Sequence, residues 1–233
     1  LGVLDLGFIF KDNDHCGRAL DGKAGKLLGD MLADRTNVMA LGWGYSLGAR
    51  NVWTKNPVPN DAALKGVKLR VLPVPNFIET IKLMGAVPTP LPFGEIYTAL
   101  QTGVVDGTEN PPSNFYTQKM QEVQKFLALT DHGYLGYAVI VNKKFWDGLP
   151  ADIRTTLEGA MKDATKYAND IAKKENDDAI EAVKKSGKTE ILTLTADQKA
   201  ALKKALVAVH KENEGRIGKD IIAEVYKATG FQP

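Results

Sequence analysis

The sequence predicts an α/β fold, and three observations carry that expectation. Between residues 67 and 105, segments with the two-residue alternation of a strand take turns with segments of helical spacing. A helical pattern then runs from 151 to 185 without a proline, its last glycine being Gly159. Beyond it, Thr195 and Gln198 stand three apart at the head of another helical stretch, the signature of a capping box.

Taken in order, residues 25–34 place Leu27, Leu28, Met31 and Leu32 on one broad helical face, and a strand is expected over 38–41. The glycines of 42–50 have the wrong spacing for a dinucleotide loop and no helical pattern follows them, so a nucleotide site is rejected. Residues 56–60 read as extended, and Asp61 can cap a short turn that Gly66 ends. In 67–71, Val67, Leu69 and Val71 share one face and Lys68 and Arg70 the other, which turns Arg70 away from the core side of the strand. Helices are expected over 76–84 and 95–102, stopped by Gly85 and Gly103 and separated by a stiff connection through Pro88, Pro90 and Pro92. Val104 and Val105 begin a further strand, 113–125 reads as helix, and strands over 126–130 and 134–141 flank Asp131, His132 and Gly133. A strand over 189–194 and two terminal helices complete the chain. This alternation implies right-handed crossovers and a largely parallel sheet, with ligands expected beyond the carboxyl ends of its strands.

Composition excludes several functions. Thirty basic residues against 28 acidic ones give a net charge of +2, too little to favour nucleic acid or an anionic membrane. No apolar run reaches the roughly 20 residues of a membrane span, so the chain is not expected to insert. The lone Cys16 excludes an internal disulfide, and His15, His132 and His210 are too far apart for a helical metal pair. No cofactor or metal is expected. The chain opens at Leu1 without an initiator Met or a signal-like segment, as if mid-fold, so the lack of a signal peptide does not argue for the cytoplasm.

Candidate chemistry is sparse. Cys16 beside His15 could suggest a thiolate pair, but adjacent side chains seldom face one another, and Cys16 is expected to be inert. Arg70 can be a solvated strand arginine; placed just before a strand end and followed by Pro73 and Pro75, it can equally offer two parallel N–H donors to a carboxylate. Residues 106–112 begin as an Asp-Gly turn, yet Asn110 before two prolines is held extended, where its amide can donate to a carboxylate without adding charge. Phe93, between Pro92 and Gly94, reads as core more readily than as ligand wall. An enzyme acting on a carboxylate would need an acid–base group, for which His132 and Glu109 are the candidates.

Together, several blocks resemble the DctP-type substrate-binding subunits of tripartite ATP-independent periplasmic (TRAP) transporters. They are Gly42, Trp43 and Gly44 leading to Gly48, Ala49 and Arg50, and then the runs 64–70, 85–90, 92–100 and 101–110. The resemblance implies two α/β lobes with hinge strands, spanned by a long helix and closing on an organic acid. It implies export to the periplasm and delivery to the membrane permease subunits. By position, Arg70 resembles the principal carboxylate-binding arginine, Arg50 a second one, Asn110 the amide beside the carboxylate and Phe93 the aromatic wall, with His132 near the polar network. The lobes implied are 1–47 with 136–175, an N-terminal lobe whose first part is missing, and 48–135 with 176–205, with a helical clasp over 206–233.

Ala49 stands where sialic-acid-binding relatives carry a phenylalanine, which points to a smaller ligand, and two arginines suit a C4-dicarboxylate such as malate, succinate or fumarate. A sugar acid, keto acid or aromatic acid is the alternative within the class. A sensor or scaffold reusing the fold is a third reading.

Overall fold

The computed structural model describes residues 2–45, 48–59 and 61–233, with the backbone alone at Asp61. The expected cap by the Asp61 side chain, the end of the extended run at Asn60 and the lobe boundary at residue 47 lie outside the described residues. A first 3-10 turn, Gly2–Asp5, precedes helix α1 (Asn13–Leu20), which Asp12 caps by accepting the His15 N–H at 2.6 Å. Helix α2 (Lys23–Arg35) leads into strand β1 (Val38–Gly44). Strand β2 (Ala49–Thr54) then comes from a stretch in which no strand was expected.

A 3-10 turn, Asp61–Leu64, precedes β3 (Lys68–Val71), followed by α3 (Pro75–Leu83) and β4 (Val87–Pro90). The proline-rich connection is therefore a strand. Its prolines are tolerated because β4 lies at the sheet edge and pairs on one side only, with β3. Helix α4 (Ile96–Thr102) ends on a left-handed Gly103 as expected. Strand β5 (Gly107–Asn110) begins later than Val104, and of the expected Asp-Gly turn Asp106 lies in a bend while Gly107 opens the strand. Gly107 makes that possible, because a Cβ there would lie 2.3 Å from the Trp53 carbonyl oxygen on β2.

Helix α5 (Pro112–Thr117) is shorter than expected, ended by Lys119 in the left-handed region at φ 55°. Strand β6 (Phe126–Tyr134) runs through Asp131, φ 45°, where a bulge keeps it paired, and β7 (Tyr137–Asn142) leaves for another sheet. Then come α6 (Lys143–Asp147) and the uninterrupted 36-residue α7 (Ala151–Ser186). Strand β8 (Glu190–Thr193), α8 (Ala196–Glu212), a single turn α9 (Glu214–Ile217) and α10 (Lys219–Thr229) follow. The capping box forms as read, Thr195 and Gln198 each accepting the other's backbone N–H.

The strands make a two-stranded antiparallel sheet, β1–β7, and a six-stranded sheet in the order β4-β3-β5-β2-β6-β8. The large sheet is mixed rather than largely parallel, because β2 runs antiparallel to both its neighbours β5 and β6. Its two faces are covered by separate cores. Val52, Leu69, Val71 and Ala128 pack with α3, α8 and α10, while Trp53 and Leu127 pack with α4, Phe115 of α5 and Val183 of α7. Along α7, Asn169 accepts from Tyr45 N–H and donates to the Trp43 carbonyl at the end of β1, and Asn176 accepts from Ser113 N–H at the start of α5. One helix is thereby bonded beside both sheets. No helix among the described residues is long and apolar enough to cross a membrane.

Candidate functional site

Strand register decides which side chains meet. On β2, Arg50 and Val52 share a face, and Glu109 on β5 lies opposite Val52, so Arg50 and Glu109 are diagonal neighbours on the α3 side of the sheet. Arg70 on β3 lies opposite Thr108, which puts it with Thr108 and Asn110 on the other side. All sit at the end of the sheet where β3 and β5 finish. Arg50, Arg70, Glu109, Asn110 and His132 are each at most 3% exposed.

On the first face Arg50 is fully engaged along one edge. Its Nε donates to Glu109 Oε2 at 2.5 Å and its Nη2 to Oε1 at 2.6 Å, and its guanidinium lies 4.3 Å from the Phe77 ring centroid. His132 Nε2 stands 3.7 Å from Glu109 Oε2, and its Nδ1 pairs with Thr130 Oγ1 at 2.8 Å. Burial works to raise the Glu109 pKa, but Arg50 and His132 outweigh it and hold the carboxyl below its ordinary value. Glu109 is therefore a counter-ion rather than a proton donor. Asp5, half-buried, adds a second acid: burial pushes it up to about 6 against the pull of Arg50 and Arg216.

The second face lacks such a partner. Arg70 Nε and Nη2 both donate to the Leu91 carbonyl oxygen, at 2.9 and 2.6 Å, and no carboxylate pairs with it among the described residues. Burial lowers its pKa to about 10, which still leaves it charged at neutral pH. The expectation that Arg70 turns away from the core side holds for β3, but helices cover that side too, so it is enclosed rather than solvated.

Both arginines spend the same edge, Nε with Nη2, on the protein. The opposite edge stays available in each, and Nη1 of both is buried without a hydrogen-bond partner among the described residues. Asn110 Nδ2 makes only a 3.3 Å contact with Thr108 Oγ1. Phe93 opens a 3-10 turn two residues past Leu91 and is 38% exposed, so it is not the core residue its sequence suggested.

Other features weigh less. A cleft of about 880 Å³ lies between α2, β1 and α7, but none of the five expected site residues lines it. Four of its charged groups form exposed ion pairs, Lys26 with Asp30 and Lys166 with Asp170. Burial pushes the Cys16 thiol up to about 12, in keeping with an inert residue. Of the residues that shape the site, the pairing of Glu109 could not be foreseen without knowing that β2 lies beside β5, and Asp5 carries no sequence signal.

A charged, enclosed end of a mixed sheet agrees with what similar proteins are. The model of bacterial extracellular solute-binding protein family 7, DctP, matches residues 1–215. A C4-dicarboxylate-binding periplasmic protein DctP of Rhodobacter capsulatus is 48% identical over 227 residues, 97% of this chain and 68% of that protein. The chain thus spans about two thirds of the length of the curated relatives it matches. A TRAP periplasmic solute-binding protein of Shewanella oneidensis with bound succinate superimposes with a TM-score of 0.91 at 30% identity, over 98% of this chain and 74% of that one. Another, from Sulfitobacter sp. NAS-14.1 with bound β-D-galacturonate, gives 0.90 at 28% identity, over 99% and 75%. The fold is the two-lobed one of these receptors, and the chain belongs to the DctP family of bacterial extracellular solute-binding proteins.

Proposed function

We propose that this chain is the ligand-holding part of a periplasmic TRAP receptor for a small organic acid, a C4-dicarboxylate in the first instance, and that it catalyses no reaction. The observation that carries the reading is Arg70: a fully buried cation, held by a main-chain carbonyl and by no carboxylate among the described residues, with a guanidinium nitrogen, Nη1, that bonds to none of them. A buried charge left in this state is costly unless an anion completes it. In this reading Arg70 grips one carboxylate through Nη1 and Nη2, Asn110 donates beside it, and Phe93 walls the ligand. Arg50 offers its own free edge to the second carboxylate, with His132 steadying the Glu109 that holds it. Ligand contacts made in both lobes would favour a closed form, which the membrane permease subunits would receive.

A sugar acid is the second reading, favoured by the likeness to the galacturonate-bound receptor. A thermal-shift series with succinate, malate, fumarate and galacturonate separates the two, since a ligand that binds only the folded state raises its stability. A rise with the dicarboxylates, abolished in Arg70→Ala, is expected. A rise with galacturonate alone would keep the receptor and change its ligand, and no rise with any acid would contradict the proposal.

A further inference from the structure

Asn110 is the last residue of β5, and its carbonyl leads straight into Pro111 and the start of α5. The two prolines supply no N–H with which to anchor this junction. Beside the bond from Ser113 N–H to Asn176 in α7, what anchors it is Trp53. Its indole Nε1–H donates to the Asn110 carbonyl oxygen at 3.0 Å, and its ring stacks on Phe115, one turn into α5, with centroids 3.4 Å apart and planes 13° from parallel. Trp53 and Phe115 are both wholly buried. One side chain therefore grips both ends of the turn that aims Asn110, on the same sheet face as Arg70.

From this geometry we infer that Trp53 is a positioning residue for ligand binding, acting through Asn110. The inference rests on the proposed role of Asn110 beside the bound carboxylate. Trp53 touches no ligand in this arrangement. It fixes the strand-to-helix peptide so that the amide and Arg70 converge on the same oxygen atoms. A hydrogen bond from an enclosed indole costs nothing to reorganise when ligand arrives, whereas a junction without it must be ordered at the moment of binding.

A double-mutant cycle tests this. Full-length wild type, Trp53→Phe, Asn110→Ala and the double variant are titrated calorimetrically with whichever of succinate, malate or galacturonate gives wild type the largest thermal shift. Phenylalanine keeps a ring against Phe115 and removes the N–H donor together with the pyrrole half of the indole. Trp53→Phe is expected to weaken binding about fivefold in the wild-type background and less than about twofold in the Asn110→Ala background, because acting through one partner makes the two losses non-additive. Phe115→Leu, which loosens the other end of the same turn and keeps the N–H, should lower the unfolding midpoint and weaken binding less than Trp53→Phe does.

Trp53→Phe that is folded and binds like wild type, or equal losses in both backgrounds, would overturn the positioning role alone. Asn110→Ala binding like wild type would instead overturn the reading on which it rests. If none of the three acids binds wild type, both fall together.

Discussion

The two faces of the six-stranded sheet each bring a buried arginine to the same end, yet they treat it differently. On the α3 side Arg50 is neutralised within the protein by a two-point pair with Glu109, backed by His132 and packed on Phe77. On the α4 and α5 side Arg70 is hydrogen-bonded to a carbonyl oxygen and to no carboxylate among the described residues, feeling Glu109 only through space and against the repulsion of Arg50. A buried pair that is complete at rest belongs to the structure, and a buried cation that is incomplete awaits something. On the proposed reading the difference gives the arginines unequal duties: Arg70 would anchor the ligand, and Arg50 would support and extend the site.

That division can be broken by substitution. The largest effect is expected at Glu109, since Glu109→Ala strands Arg50 as an unpaired buried charge and should cost about 3–5 kcal/mol of stability, read from urea unfolding. Arg70→Ala should do the reverse, leaving the ligand-free stability nearly unchanged while weakening binding by about 2–5 kcal/mol in calorimetric titration. If Arg70→Ala proved as unstable as Glu109→Ala, the two faces would not differ in the way described.

Asp5 sharpens the comparison through pH. Folding raises its pKa from 3.8 to about 6, so between those values the folded state binds more protons than the unfolded one. Its effect on stability is therefore unfavourable above about pH 6 and fades as pH falls through that window. Asp5→Asn should stabilise the protein at pH 7 by up to about 3 kcal/mol and change little below pH 4, as melting curves at the two pH values would report. Phe93→Leu should have the smallest effect, weakening binding less than about fivefold, because its ring is partly exposed and the replacement is also apolar. A larger loss would give Phe93 a greater part in the proposed site than its exposure suggests.

Much of this was legible in the residues and some was not. Alternation in 67–71 located β3 and the side on which Arg70 lies, and the prolines after Asn110 marked its extended backbone. The full burial of Arg70 could not be read there, because alternation reports the faces of one strand and the covering helices α4, α5 and α7 come from elsewhere in the chain. Strand β2 was hidden by its polar Arg50, Asn51 and Thr54, all of them buried, with Arg50 and Asn51 finding their partners Glu109 and Asp131 only in the assembled sheet. Asp106 and Gly107 imitated a turn, but Gly107 already belongs to β5 and serves close packing on Trp53 rather than a reversal of the chain. The continuous α7 was visible in its spacing, while its two sets of partners at Asn169 and Asn176 were not.

The most direct test of the central claim is calorimetric titration of succinate into wild type, Arg70→Ala and Arg50→Ala, with the ligand-free melting midpoint of each recorded alongside. The account predicts that Arg70→Ala loses at least about thirtyfold in affinity with its midpoint preserved, while Arg50→Ala lowers the midpoint and binds less well. Wild-type affinity in a folded Arg70→Ala would contradict it.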